Sequence, residues 1–254
     1  MGEIPDQLGS VADSLGTARR VVVLTGSGIS AESGIPTFRD AMDGLWAQFN
    51  PEDLATPEAF AKDPGTVSRW YDSRRLRCLA CTPNAGHLAL VRMQDQVERR
   101  GARFTLLTQN VDRLHQRAGS HGVVELHGSL MVWRCTRTGK EMEPGPEPFA
   151  AFPPPSEAGA TMRPGVVWFG EPLPEKALDA AHAALDECDL FFSIGTSSVV
   201  QPAASFVNLA ARAGAETVEI NLQPTAISRW VTWSIMGKAG EVLPRLCAHV
   251  DDAH

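Results

Sequence analysis

The chain has 254 residues, of which 43% are apolar and 21% charged, and a net charge of −7. That length can bury a sizeable core, as one large domain or one domain with a small insert. The acidic balance argues against a general nucleic-acid or anionic-membrane partner, and no apolar run approaches the ~18 residues of a membrane span. The start, MGEIPDQLGSVADSLG, has neither a basic opening nor an apolar core, so no secretory leader is expected. Five scattered cysteines (Cys78, Cys81, Cys135, Cys188 and Cys247) suit reduced thiols in a cytoplasm. Cys78 and Cys81 form a C-x-x-C after the charged run Arg74-Arg75-Leu76-Arg77, a setting for ordinary thiols rather than a redox pair.

Residues 1–19 repeat Ala, Leu and Val at helical spacing and predict a leading helix. Val21-Val22-Val23-Leu24 is an apolar, mostly β-branched run and predicts a buried strand over 21–25. The chain then turns on Gly26-Ser27-Gly28, with a helix expected from about Ser30. Glycines after a strand let the backbone approach an anion, and a helix N-terminus offers free N–H groups. The polar run Ser33-Gly34-Ile35-Pro36-Thr37-Phe38-Arg39-Asp40 exceeds what a plain strand-to-helix turn needs. Residues 41–83 scatter Trp46, Phe49, Phe60, Trp70 and Tyr71 among Pro51, Pro57 and Pro64, predicting short helices and loops outside the main sheet.

A helix is expected over 83–100 with Leu88, Val91 and Met93 inward, then strands at 104–108 and 123–127. Prolines crowd residues 131–165, which read as a small insert without regular core periodicity. A strand at 166–169, an Ala-rich helix at 174–188 and a strand at 190–194 follow, the last running into Gly195-Thr196-Ser197-Ser198. A helix at 203–213, a strand at 217–221 and a closing helix from Glu241 complete the chain. Apolar strands alternating with helices predict an α/β fold with a doubly wound, Rossmann-like parallel sheet. Ligands of such sheets lie at the carboxyl ends of strands, which selects Thr25-Gly26, Gln109-Asn110, His127, Gly195-Thr196-Ser197 and Asn221.

Six motifs in order carry a family resemblance: GSGISAESGIPTFRD at 26–40, TQNVDRLH at 108–115, ELHGS at 125–129, RPGVVWFGE at 163–171, GTSSVVQPAA at 195–204 and NLQP at 221–224. Together they resemble the sirtuins over about residues 15–246. The resemblance implies one catalytic domain over 1–254. Its Rossmann-like large lobe would take about 15–40, 84–130 and 166–250. A helical and loop insert would take about 41–83, and the remnant of a zinc module about 131–165.

The resemblance also implies NAD-dependent removal of acyl groups from protein lysines, with NAD consumed as a co-substrate. The pyrophosphate would lie on Gly26, Ser27, Gly28 and Arg39, although Ser27 stands where the family usually has alanine. Gly195, Thr196, Ser197 and Asn221 would line the adenosine end. Asn110 and Asp112, with Ile35, would hold the nicotinamide end, Phe38 would wall the bond that breaks, and Gln109 would touch the ribose. The acyl-lysine chain would lie along Val167, Trp168, Phe169 and Gly170, and its acyl oxygen would attack the ribose carbon as nicotinamide leaves. His127 would then act as general base on the ribose hydroxyl, a step that suits a neutral imidazole. Products would be free lysine, nicotinamide and O-acyl-ADP-ribose. Alone after a strand, His127 would more often be structural, and the ordered motifs reverse that reading. His87 and His115 read as structural. Trp168 and Phe169, adjacent on a strand, would face opposite ways, so at most one side chain meets substrate.

Two departures from the family pattern matter. Sirtuins usually carry two C-x-x-C pairs in the insert, giving a tetrahedral zinc site. The aligned positions here are Cys135, Thr138, Pro155 and Ala158, so no structural zinc and no other metal is expected, with the prolines as the alternative source of rigidity. Tyr71 and Arg74 form the Y-x-x-R pair that sirtuins acting on carboxylated acyl groups such as succinyl carry in the acyl pocket. Arg pairs bidentately with a carboxylate and Tyr adds a hydroxyl donor. Deacetylase activity, desuccinylase activity or both are expected, on acyl-lysine proteins, from a cytoplasmic chain expected to be a monomer. The competing readings are ADP-ribosyl transfer or NAD hydrolysis in the same pocket, and a non-catalytic NAD-binding module.

Overall fold

In the first strand, β1 (Arg20–Thr25), successive side chains alternate between two apolar layers. Val21 and Val23 pack into one core with Leu8, Leu90, Met93 and Leu246, while Val22 and Leu24 pack into another with Leu185, Phe191 and Phe206. A strand buried on both faces needs helices on both faces, which is the doubly wound arrangement. The computed structural model describes residues 4–37, 50–157 and 159–252. The predicted site residues Phe38 and Arg39, with Asp40, Trp46, Phe49 and Ala158, lie outside the described residues.

The leading helix α1 (Ile4–Thr17) precedes β1, and a 3-10 helix over Ser27–Ser33 follows it. Further along are α2 (Pro51–Leu54), α3 (Pro57–Lys62), α4 (Pro64–Ala80), α5 (Ala85–Arg99), β2 (Arg103–Thr108), α6 (Leu114–Ala118) and β3 (Val124–Glu125). Next come β4 (Gly128–Cys135), β5 (Glu141–Met142), β6 (Met162–Val166), α7 (Glu175–Asp186) and β7 (Leu190–Ile194). The chain finishes with α8 (Phe206–Arg212), β8 (Glu216–Asn221), β9 (Trp233–Met236) and α9 (Ala239–Asp252). The main sheet has six strands in the order β3-β2-β1-β7-β8-β9, each pair parallel. Counted within this sheet, the order is 3-2-1-4-5-6, the Rossmann order, and the direction of winding reverses between β1 and β7. Fully burying side chains such as Phe191 and Phe192 contributes roughly 1.5–3 kcal/mol each. Among the described residues no helix is long and apolar enough to cross a membrane.

The helices start where local chemistry allows. Thr56 accepts from the Ala59 N–H at 3.0 Å and Asp63 from the Thr66 N–H at 2.9 Å, and Pro57 and Pro64 occupy the first turns of α3 and α4. Asn84 caps α5, and the His87 side chain closes a reciprocal capping box.

Several expectations are corrected. The turn after β1 is a 3-10 helix from Ser27, ended by Gly34 at φ +85°, rather than a helix from Ser30. Leu88 points outward at 54% exposure, and the inward face of α5 carries His87, Ala89, Leu90, Met93, Gln94 and Val97. The strand expected over 123–127 pairs only at Val124–Glu125, so His127 lies beyond it. Residues 131–165 are not without regular structure: β4, β5 and β6 form a three-stranded antiparallel sheet. Its pattern was hidden by a bulge between Ser129 and Trp133, which breaks the two-residue alternation. The strand expected over 166–169 instead ends at Val166 and belongs to this small sheet. β9 was missed, being a short edge strand with only Ile235 buried.

The loop of residues 145–149, between β5 and β6, is fastened to α4 by a buried ion pair within that helix. Arg75 donates from Nε to Asp72 Oδ1 at 2.8 Å, from Nη1 to the Gly145 carbonyl at 2.6 Å and from Nη2 to the Glu147 carbonyl at 2.7 Å. The Phe149 N–H donates to Asp72 Oδ2 at 3.2 Å, and both charged side chains are buried. Arg75→Met should therefore strand Asp72 and two carbonyls and lower the unfolding free energy by about 3–5 kcal/mol in urea titrations; a loss below about 1 kcal/mol would show the pair to be idle.

Candidate active site

The crevice forms where the winding reverses. The Gly26 N–H donates to the Ile194 carbonyl at 3.0 Å and the Gly28 N–H to the Gly195 carbonyl at 2.8 Å, so the loops after β1 and β7 lie backbone to backbone. No side chain fits between them: a Cβ on Gly26 would come within 2.8 Å of Thr196, and one on Gly28 within 2.7 Å of Gly195. Gly195 has φ +59°, and a Cβ there would meet Ile29 N at 2.5 Å. Ser27 and Ser197 are half-buried on the two loops.

Side chains from the neighbouring strand ends converge on this contact. Asn110, buried after β2, donates its Nδ2 to the Gly26 carbonyl at 3.1 Å and to Ser30 Oγ at 3.2 Å. Ser30 Oγ donates to Asp112 Oδ2 at 2.7 Å, and Asp112 Oδ1 accepts the Leu114 N–H at 2.8 Å. Burial pushes the Asp112 carboxyl above its usual range, opposed by those two donors. Gln109 Nε2 donates to Thr196 Oγ1 at 3.0 Å, and Asn221 Nδ2 to the Thr196 carbonyl at 2.9 Å. The loop after β8 is tied down by the buried Glu219 carboxylate, which accepts from the hydroxyls of Thr225, Ser228 and Ser234.

His127 is half-buried, with Nδ1 at 3.1 Å from the Gln109 carbonyl. A carbonyl only accepts, so Nδ1 carries the proton and the neutral ring presents its lone pair at Nε2. Burial pushes this imidazole below its ordinary value, and the bond to Gln109 pulls partly the other way. The His127 carbonyl accepts the Val167 N–H at 2.9 Å, which joins the end of β6 to the crevice.

Beyond Val167, Trp168 is buried while Phe169 and Gly170 are exposed. The Trp168 ring lies against Phe60 at 5.2 Å and Tyr71 at 6.3 Å, under the Arg163 guanidinium at 3.4 Å. Arg163 is held by two bonds to Glu171, at 2.6 and 2.9 Å. Ile35 packs at the edge of this cluster. Tyr71 is buried, and desolvation raises its hydroxyl pKa, so it stays a protonated donor at neutral pH. Arg74 lies over Trp70 at 4.8 Å, its pKa lowered by burial.

The structure thus brings together Gly26, Gly28, Gln109, Asn110, Asp112, Thr196 and Asn221, and joins His127 to Val167. Tyr71 and Trp168 form a second grouping with Arg74 alongside. Sequence reasoning missed Ser30 as a site residue, although its hydroxyl bridges Asn110 and Asp112. Its place three residues past Ser27 was the available signal. At the positions aligned with zinc ligands, Cys135 Sγ accepts from Ser156 Oγ at 3.0 Å, a bond that heads the causes lowering this thiol to about 6. Thr138 lies in an exposed turn, and Pro155 bridges to Thr161. No group of three or more His, Cys, Asp or Glu that could hold a metal ion occurs among the described residues.

Fold and crevice define an open, parallel α/β protein whose polar site sits over the carboxyl ends of β1, β2, β7 and β8, at the point where the winding reverses. The Sir2 family model matches residues 26–202, so this chain belongs to the Sir2 family. It is 49% identical over 245 residues to an NAD-dependent protein deacylase 1 of Pseudomonas aeruginosa, covering 93% of this chain and 96% of the relative. It is 48% identical over 242 residues to an NAD-dependent protein deacylase 2 of Pyrobaculum aerophilum, covering 95% of each. Among solved structures, a Sir2 homolog in complex with NAD superimposes with a TM-score of 0.87 at 44% identity, covering 96% of this chain and 94% of that one. A Sir2 complex with a deacetylated p53 peptide and 3′-O-acetyl ADP-ribose gives 0.81 at 30% identity, covering 95% and 97%.

The glycine contact can be tested apart from any ligand. Gly195→Ala combines positive φ with a 2.5 Å clash, whereas Gly34→Ala at φ +85° meets no atom within 4 Å. Gly34→Ala should lose about 1–2 kcal/mol in denaturant titrations, and Gly195→Ala clearly more; equal losses would mean that the two loops can part without penalty.

Proposed function

We propose that this protein removes acyl groups from lysine side chains of other proteins, consuming NAD. The observation that carries the reading is the His127 ring, whose Nδ1 is held by the carbonyl of Gln109, the residue before Asn110, which leaves the lone pair of the neutral ring on Nε2. The glycine contact supports a dinucleotide, because backbone without side chains at Gly26, Gly28 and Gly195 is what a pyrophosphate needs for close approach. The relatives named as NAD-dependent protein deacylases and the neighbour solved with NAD support the same co-substrate.

In this reading Gly26, Ser27 and Gly28, with Arg39, hold the pyrophosphate, and Gly195, Thr196, Ser197 and Asn221 receive the adenosine. Ile35, Phe38, Asn110 and Asp112 enclose the nicotinamide end, and Gln109 holds the ribose. Bound NAD supplies a ribose carbon whose bond to nicotinamide gives way to a bond with the acyl oxygen of the lysine side chain. His127 Nε2 takes the proton of a ribose hydroxyl, freeing that oxygen to accept the acyl group. Val167, Phe169 and Gly170 flank the acyl-lysine, and Trp168 backs Tyr71. Tyr71 and Arg74 recognise an acyl group that ends in a carboxylate, since the Tyr71 hydroxyl is buried and Arg74 is half-buried beside it, and a charge-assisted bond strengthens as water is excluded. Cys78, Cys135, Cys188 and Cys247, buried free thiols, suit a reducing cytoplasm. The single thiolate donor at the aligned positions and the Asp72–Arg75 pair favour an insert that folds without zinc.

Incubation with NAD and matched acetyl- and succinyl-lysine peptides, followed by mass spectrometry, should show free lysine and O-acyl-ADP-ribose in equal amounts; nicotinamide release without peptide would point to hydrolysis instead. Arg74→Met should reduce kcat/KM for succinyl-lysine peptide at least tenfold more than for acetyl-lysine peptide, and equal losses would remove the pair from acyl recognition. Burial disfavours the charged ring of His127, so the base stays neutral until the pH falls below the ordinary imidazole value of 6.5. The acid limb of kcat/KM should therefore lie below pH 6.5 and be absent from the residual rate of His127→Ala.

A further inference from the structure

Two buried histidines, His87 on α5 and His115 on α6, face each other with ring centroids 4.9 Å apart and planes inclined at 60°. His87 Nδ1 accepts the Asn84 N–H at 3.3 Å, so its proton sits on Nε2. The Thr25 hydroxyl donates to Thr108 Oγ1 at 2.8 Å, so its bond with His115 Nε2, at 2.9 Å, has the imidazole as donor. His115 therefore presents an unprotonated Nδ1. The two nitrogens left over, His87 Nε2 and His115 Nδ1, are buried and have no hydrogen-bond partner among the described residues. One is a donor and the other an acceptor. Orphaned buried polar atoms are rare, and such a complementary pair across a short gap is the setting in which proteins hold an internal water.

We propose that His87 and His115 are linked by one buried water into a single directed chain of hydrogen bonds, and that His115 is a positioning residue for the nicotinamide end of the crevice. The chain runs from the Asn84 N–H through His87, the water, His115 and Thr25 to Thr108 Oγ1. That oxygen also accepts the Asn110 N–H, at 3.1 Å. At its other end Asn84 Nδ2 donates to the Ile29 carbonyl at 2.7 Å and to Ser33 Oγ at 2.9 Å, so the same chain grips the 3-10 helix after β1. Both sides of the Asn110–Ser30–Asp112 cluster are thereby set by one network. Burial supports it by keeping both rings neutral, lowering His87 to about 4 and His115 to about 3. The positioning role rests on the deacylase reading, whereas the chain itself does not.

Nitrogen-15 NMR of histidine-labelled full-length protein at pH 7 should find both rings neutral with the proton on Nε2. A charged ring, or an Nδ1–H tautomer in His115, overturns the chain. For the role, a glutamine at 115 offers both a donor and an acceptor and a phenylalanine offers neither. His115→Phe should lower kcat at least tenfold while the peptide KM stays within twofold, and His115→Gln should recover most of the loss. Phe and Gln variants of equal activity, or losses that only track the melting temperature, overturn the positioning role. Absence of any acyl-peptide turnover in the wild type would count against the deacylase reading and leave the NMR result to decide the chain.

Discussion

Two strand-end loops cannot normally lie backbone to backbone, because the side chains on each keep them apart. Here three glycines remove that obstacle, and hydrogen bonds carry the ladder of the sheet past its strands: Gly26 N–H to Ile194, Gly28 N–H to Gly195 and Gly195 N–H to Ile220. The loops after β1, β7 and β8 become one continuous floor. Much of the crevice follows from it. The Gly26 carbonyl is held where Asn110 can donate to it, and the 3-10 helix is held where Ser30 reaches both Asn110 and Asp112. Thr196, locked beside Gly26, becomes the shared acceptor for Gln109 and Asn221.

The second constraint is α4, whose third and fourth turns serve two neighbours at once. Tyr71 and Arg74 are three residues apart, as are Asp72 and Arg75, and the two pairs lie one position out of phase. Asp72 and Arg75 hold the 145–149 loop, and Tyr71 packs near Trp168. Rotation of the helix about its axis would disturb both sets together. Buried ion pairs add little stability over apolar packing, but they tolerate few alternative geometries. A pair that fixes orientation is thus well placed in a helix that holds two neighbours at one angle.

What the sequence revealed depended on how many physical signals pointed the same way. The strands of the main sheet are unbroken apolar runs because both faces are covered, and glycines with polar residues at their carboxyl ends gave the crevice as well as the fold. The small sheet had no such redundancy. The bulge in β4 destroyed its alternation, and the surrounding prolines spoke for a loop. β9 is four residues long and buries one. Leu88 misled because an apolar residue in an amphipathic helix is usually inward, whereas here the capping His87 holds the inward place. Ser30 escaped notice because a serine at a helix start is expected to serve its own backbone, while this one donates to a side chain on another strand's loop.

The environment of His127 separates two demands that usually compete. A hydrogen bond that fixes an imidazole's tautomer also favours its charged form, since the bonded N–H is a better donor when the ring is protonated. The Gln109 carbonyl does both, orienting the ring and raising its pKa, while burial acts more strongly in the opposite sense. Orientation therefore comes from one backbone atom, and the neutral state of the ring from its burial, without one cancelling the other. Because Gln109 also donates through its side chain to Thr196, the atom that orients the His127 ring belongs to a residue already anchored on the glycine floor. In the proposed reaction, the same anchoring that shapes the dinucleotide site aims the base at it, so a shift of the β7 loop would reach His127 without any direct contact.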